Sequence, residues 1–475
     1  MKTTKAVKED RSGSDSDKQK RELKTERSDV KISGITCRKP TRKESMYTMI
    51  TNTFQKKKLS RKKSTEKKRK EREKADKKKE KIQARKRPSK KIDLEVTAKP
   101  IRRKKSRTSQ VRKKHSSQSD TDASDKEKAD KKKPVTPPEF TRFVLNIKPE
   151  TPQYDPKKIE ESTRKFVDKI YPAAKVPDGL QDKLDDEFDV IEENEVDDND
   201  CRAFLENMER NQAEEIECLD ANRVVLDRIG NNPNTYIHAS VMDIPNIPRK
   251  VILTQFPVSA TASYMEDFWR LVYQEKVKSI FVLATDADLQ DERKKPYFIR
   301  ETEKFETIGD FWINNRRNDP SPDKRGNEIN HLEILPVDSC EAVMSTMTLC
   351  MDWPDSASGK KPSTFQATET AALSAFAQNE TDTVIIMSKN GSGRAGTFLA
   401  IATILHYVNN AIDFNIKDVV YRIRKQRPGA VDNQVQYGYI YSLVLQYMKK
   451  NTKDEALKQK IDKIIAEVRA ETSRE

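Results

Sequence analysis

Apolar positions along this chain change period from segment to segment. Tyr236–Met242, Lys250–Leu253, Ser279–Leu283 and Ile329–Val337 are short apolar or alternating runs, and each reads as a strand. Between them the period lengthens. Ser263 and Glu266 are spaced as a capping box, and behind them Met265, Phe268, Trp269, Val272 and Tyr273 share one helical face. Ser363–Asn379 reads as another helix. Ile416, Val419, Val420 and Ile423 mark a further one, stopped by Pro428-Gly429, and a last apolar helix runs from about Gln434 to Met448. Helical material is expected from near Glu160, and again over Arg202–Leu219. Residues 184–200, with Asp186, Glu187, Glu192, Glu193, Glu195, Asp197, Asp198 and Asp200, read as a solvated acidic loop or as a dock for a basic segment. Strands mixed with helices in one unit predict an α/β domain.

Composition divides the 475 residues in two. Residues 1–140 hold 49 basic against 21 acidic residues, a net +28, whereas the remainder carries −12. The basic part has runs such as Arg61–Lys74 and too few apolar residues to offset chain entropy, so it reads as disordered. The expected organisation is a Lys/Arg-rich arm over 1–133, a Pro-rich linker over 134–159, a folded domain over 160–450 and a charged helical or frayed tail over 451–475. The arm suits nucleic acid, an anionic membrane surface or nuclear import. No apolar run is long enough for a transmembrane helix, and no signal-peptide core follows Met1. Cys37, Cys201, Cys218, Cys340 and Cys350 show no paired spacing. Reduced thiols in cytoplasm or nucleus are expected. The four histidines are scattered, so neither a metal nor a cofactor is read.

The strongest chemical signal lies between the apolar run Val384-Ile385-Ile386 and the apolar stretch from Leu399 to Val408. Three of the chain's 12 glycines fall within six residues there. A strand, a glycine-rich loop and a helix in that order make an anion site. The glycines let backbone N–H groups converge, and the helix N-terminus adds positive potential. Ser388, Lys389, Asn390, Gly391, Ser392 and Gly393 would form the cradle, and Arg394 would grip two oxygens.

Six landmarks occur in order: Asn222-Arg223, Thr254-Gln255-Phe256-Pro257, Glu266-Asp267-Phe268-Trp269, Trp353-Pro354-Asp355, the Arg394 loop, and Arg427-Pro428-Gly429 followed by Gln436-Tyr437. Together they resemble the tyrosine-specific protein phosphatase domain, over roughly residues 160–450. The resemblance implies a twisted mixed sheet flanked by helices. It also implies a Cys nucleophile six residues before Arg394, a general acid at Asp355, a brace for Arg394 at Asp288, and a water-positioning loop bearing Gln436.

The departures gather at the reactive atom. Ser388 stands at the nucleophile position, Met387 at the preceding His, and Ala395 at the hydroxyl residue after the Arg. Asp432 stands at the first Gln of the water-positioning loop, Val224 at the Tyr that flanks the substrate ring, and Lys389 where the family has a small residue. A Ser hydroxyl is far less acidic than a thiol and needs an adjacent base. Three readings stay open. One is a pseudophosphatase that binds a phosphotyrosine-containing protein or kinase without hydrolysing it. Another is a scaffold with a vestigial pocket, recruited by its arm. The third is a weak phosphatase using non-Cys chemistry.

Overall fold

In the computed structural model the described residues are 154–176, 178–193, 196–228, 232–258, 261–285, 288, 302, 305–320, 327–350, 353, 362–377 and 379–471. The arm and Asp355 lie outside them. The strands are β1 (Arg223–Val225), β2 (Tyr236–Met242), β3 (Val251–Gln255), β4 (Ser279–Leu283), β5 (Phe305–Ile308), β6 (Phe311–Pro320), β7 (Asn327–Pro336), β8 (Val343–Cys350) and β9 (Val384–Ser388). They form one mixed sheet in the order β1-β2-β3-β9-β4-β8-β7-β6-β5. β3, β9, β4 and β8 run parallel, and every other pairing is antiparallel.

The helices are α1 (Pro156–Ile170), α2 (Gly179–Glu192), α3 (Arg202–Glu206), α4 (Ala262–Gln274), α5 (Pro362–Ala375), α6 (Gly393–Asn410), α7 (Ile416–Gln426), α8 (Gln434–Asn451) and α9 (Glu455–Glu471). Side chains alternate across a strand, which sorts the core into two faces. Val384 and Ile386 of β9 pack with α6, α7 and α8, whereas Ile385 and Met387 pack with Met265, Phe268 and Trp269 of α4. Burial on both faces explains why β3, β4 and β9 read as nearly continuous apolar runs. Among the described residues, no helix is long and apolar enough to cross a membrane.

Several expected elements are corrected. The helix expected over Arg202–Leu219 ends at Glu206. The amides of Asn207 and Asn211 donate to the carbonyls of Ala203 and Phe204 at 2.8 and 3.2 Å, taking acceptors that further helical turns would have used. The acidic loop expected over 184–200 is helical as far as Glu192. Leu180, Leu184, Phe188 and Ile191 hide a helical apolar stripe among the carboxylates and are all buried. Glu187 is buried too, accepting the hydroxyls of Tyr437 and Tyr441 at 2.7 and 2.8 Å. The capping box of Ser263 and Glu266 does not form. Thr261 occupies the cap of α4, and Glu266 accepts from the Asp310 amide at 3.4 Å. Strands β6 and β8 lacked a clear apolar run. β8 interleaves Ser345, Thr346 and Thr348 with its apolar residues, and β6 is largely polar.

Candidate functional site

Ser388 ends β9 at the carboxyl edge of the parallel strands, in register with Gln255 of β3 and Leu283 of β4. Open α/β sheets place their ligand crevices at this edge. The chain then turns through Lys389–Ser392 and enters α6 at Gly393. The amide of Phe256 donates to the carbonyls of Ser388 at 3.0 Å and Lys389 at 3.3 Å, while Gly391 N–H returns to Ser388 O at 3.1 Å. Gly391 has φ +65°, and a Cβ there would strike the backbone of Thr254 and Gln255. Glycine is therefore required for the loop to lie on β3.

The candidate residues converge. Arg394, in the first turn of α6, donates from Nη1 to Asp288 Oδ2 at 2.7 Å. The same oxygen accepts from the Thr285 amide at 2.8 Å and its hydroxyl at 2.9 Å. Burial pushes the Asp288 carboxyl up, but the Arg394 hydrogen bond, the Thr285 amide and the Arg394 charge outweigh it and hold the pKa below the usual range. On the other side, Gln436 Oε1 accepts from Thr397 Oγ1 at 3.1 Å and from the Asp432 amide at 2.9 Å. A Cβ on Gly393 would come within 3.0 Å of Asp432 Cβ and 3.1 Å of the Gln436 amide, so this loop sits directly against the cradle. Lys389 and Asn390 are half-buried, and Ser388 and Ser392 are buried. Trp353 is anchored edge-on against Phe398 of α6 and Tyr439 of α8, just before the undescribed Asp355. Two residues do not join the cradle. Met387 and Val224 pack in the apolar cluster on the α4 face.

Sequence reasoning missed the layer beneath the loop. Arg427 is fully buried, donating Nε to Gly391 O at 2.9 Å and Nη2 toward Asn390 O at 3.4 Å. Its other contacts are Ser240 Oγ at 3.1 Å and His238 Nδ1 at 3.0 Å. A guanidinium only donates, so Nδ1 is the acceptor, and Nε2 carries the proton shared with Ile216 O at 3.0 Å. Cys218 lies in this layer, 3.8 Å from Ser240 Oγ, and burial pushes its thiol up. Arg427 belongs to the Arg427-Pro428-Gly429 landmark, but nothing in the local pattern marks it as buried.

His238 should make the fold acid-sensitive. Burial first, and the Arg427 charge second, push its pKa well below the ordinary value. A depressed pKa means that the unfolded chain binds the proton and the folded one does not. The stability is thus complete above an unfolded histidine pKa of about 6.5 and is lost as pH falls below it. The slope approaches about 1.4 kcal/mol per pH unit for each such group. Half-buried His406 is shifted the same way, mainly by burial. Denaturant unfolding between pH 7.5 and 5 should therefore show falling stability, with a shallower fall in His238→Asn. An unchanged slope in that variant would show that His238 titrates normally.

A family model described as Protein-tyrosine phosphatase matches residues 207–446. The Caenorhabditis elegans protein named "Putative tyrosine-protein phosphatase B0280.11" is 31% identical over 316 residues, covering 66% of this chain and 69% of that protein. The human protein Tyrosine-protein phosphatase non-receptor type 2 is 27% identical over 253 residues, covering 52% of this chain and 58% of its own length. Among solved structures, the Trypanosoma cruzi protein tyrosine phosphatase TcPTP1 aligns with TM-score 0.50 at 19% identity, covering 58% of this chain and 96% of the other.

Proposed function

Because the chain belongs to the protein-tyrosine phosphatase family, we propose that it keeps the family's phosphate cradle without its hydrolysis, binding phosphotyrosine or another phosphate-bearing partner. The observation that carries this reading is Ser388. It occupies the start of the loop, six residues before Arg394, where the family resemblance calls for the attacking cysteine. Among the described residues, no imidazole or carboxylate is hydrogen-bonded to its hydroxyl, so nothing there would make it a nucleophile at neutral pH. Binding needs no nucleophile. The loop amides, the start of α6 and Arg394 supply an anion's needs without one.

Val224 favours the scaffold reading. Its side chain is 3% exposed, within the core, and gives no aromatic wall to a phosphotyrosine ring. The two readings separate in a binding titration of a phosphotyrosine peptide against the full chain and its Arg394→Lys variant. Binding that Arg394→Lys removes supports the cradle. Binding absent from both chains, or equal in both, supports the scaffold.

The arm is a separate handle on this reading. Residues 1–140, which contain the arm and carry a net +28, should bind polyanions by releasing their counterions. The full chain should bind RNA, DNA or acidic vesicles with an affinity that falls steeply with salt. Charge-neutralising substitutions over Arg61–Lys91 should abolish most of that binding. If it survives them, the arm is not the electrostatic handle.

A further inference from the structure

Two guanidinium groups flank the loop, and their charges are not equivalent. Arg394 is paired with Asp288 at 2.7 Å, so much of its charge is already offset. Arg427 has neutral partners: the carbonyls of Gly391 and Asn390, the Ser240 hydroxyl, the His238 imidazole and the Cys218 thiol. The titratable groups that act on it are Cys218 and Tyr236, and burial favours the protonated, neutral form of both. Arg223, which also reaches this layer, is paired with Asp220 at 3.2 Å. Among the described residues, no carboxylate is paired with Arg427.

We propose that Arg427, kept unneutralised by the imidazole of His238, is a second source of positive potential for the anion loop and a positioning residue for it. The proposal rests on the anion-binding reading above. The geometry gives it two routes. Peptide units are planar and trans, so anchoring Gly391 C=O on Arg427 aims the Ser392 N–H away from Arg427. Its charge also lies in the low-dielectric interior under the loop, where it is poorly screened. The N-terminus of α6 adds potential of the same sign. A carboxylate in place of His238 would satisfy Arg427 equally well as a hydrogen-bond partner but would cancel this field. An uncompensated buried cation is costly, and neutral acceptors on every side are the arrangement that retains it.

The experiment compares His238→Asp with the conservative rescue His238→Asn in the full chain, with inorganic phosphate as the probe. A purely structural role predicts that either side chain suffices, since both accept from Arg427. The electrostatic role predicts that His238→Asn holds phosphate within about twofold of the parent chain. His238→Asp should bind at least about tenfold more weakly while melting at the same or a higher temperature, the order of effect that one unit charge exerts on another across about 10 Å at an effective dielectric near 20. The second readout needs no ligand. In a Ser388→Cys background, the thiol introduced at the loop should titrate about one pH unit higher when His238→Asp is added. If His238→Asp fails to fold, Ser240→Asp brings a carboxylate to the same guanidinium from its other side. Unchanged phosphate affinity and an unmoved thiol titration would overturn the proposal. If the parent chain binds no phosphate at all, the cradle reading fails, and the thiol titration alone decides whether Arg427 projects its charge onto the loop.

Discussion

The full chain should release no phosphate from a phosphotyrosine peptide above background. On the proposed reading the attacking cysteine is replaced by Ser388. Removing the nucleophile from a covalent enzyme costs on the order of a millionfold, and among the described residues no imidazole or carboxylate is hydrogen-bonded to the Ser388 hydroxyl to activate it. Restoring the cysteine should recover little. Met387, at the position of the histidine that helps lower the thiol pKa in the family, is fully buried against α4 and points to the opposite face of the sheet. Ala395 supplies no hydroxyl, and Asp432 lies against Gly393, where its charge would oppose a dianion. Steady-state assays of the parent chain and of Ser388→Cys test this. Turnover abolished by Ser388→Ala would make the serine a nucleophile. Turnover abolished by Cys218→Ser would move the chemistry to the buried thiol beneath the loop. Vigorous activity in Ser388→Cys would mean that the loop needs nothing but its sulfur.

Phosphate, sulfate or tungstate should raise the melting temperature of the parent chain, and Arg394→Lys should remove most of that rise. Ligand at one hundred times its dissociation constant stabilises a protein by about 2.7 kcal/mol, or about 5 °C for a domain of this size. Arg394 earns this role through shape. Asp288 engages Nη1 and fixes the plane of the guanidinium, so the fork is oriented before an anion arrives. A lysine ammonium is a point charge that cannot reproduce planar bidentate contact while also holding Asp288. Differential scanning fluorimetry across oxyanions is the measurement. A flat response from a folded parent chain would favour the scaffold reading, with Lys389 filling the cradle or Asp432 repelling its guest. A response to free phosphate that phosphotyrosine peptides do not exceed would mean that the floor of the pocket persists without its aromatic wall, consistent with Val224 packing in the core.

The sequence by itself determined what local pattern can carry. The run Val384-Ile385-Ile386, the glycines at 391, 393 and 396 and the apolar stretch behind them named a strand, a glycine-rich loop and a helix, because each depends on residues adjacent in the chain. Period located α4, α7 and α8 in the same way. Where local signals competed, reading from sequence failed. Carboxylates masked the apolar stripe of α2, side-chain amides cut α3 short, and β6 and β8 take their strand character from neighbouring strands rather than from their own composition. The family resemblance, not local pattern, implies Asp288 as the brace of Arg394, 106 positions away, and Gln436 in the loop beside it; the structure makes both contacts, and it alone turns Met387 and Val224 away from the loop. It alone placed Arg427 and His238, 189 positions apart, beneath the cradle. A buried polar residue is chosen by partners distant in sequence, and no periodicity along the chain records which partners those will be.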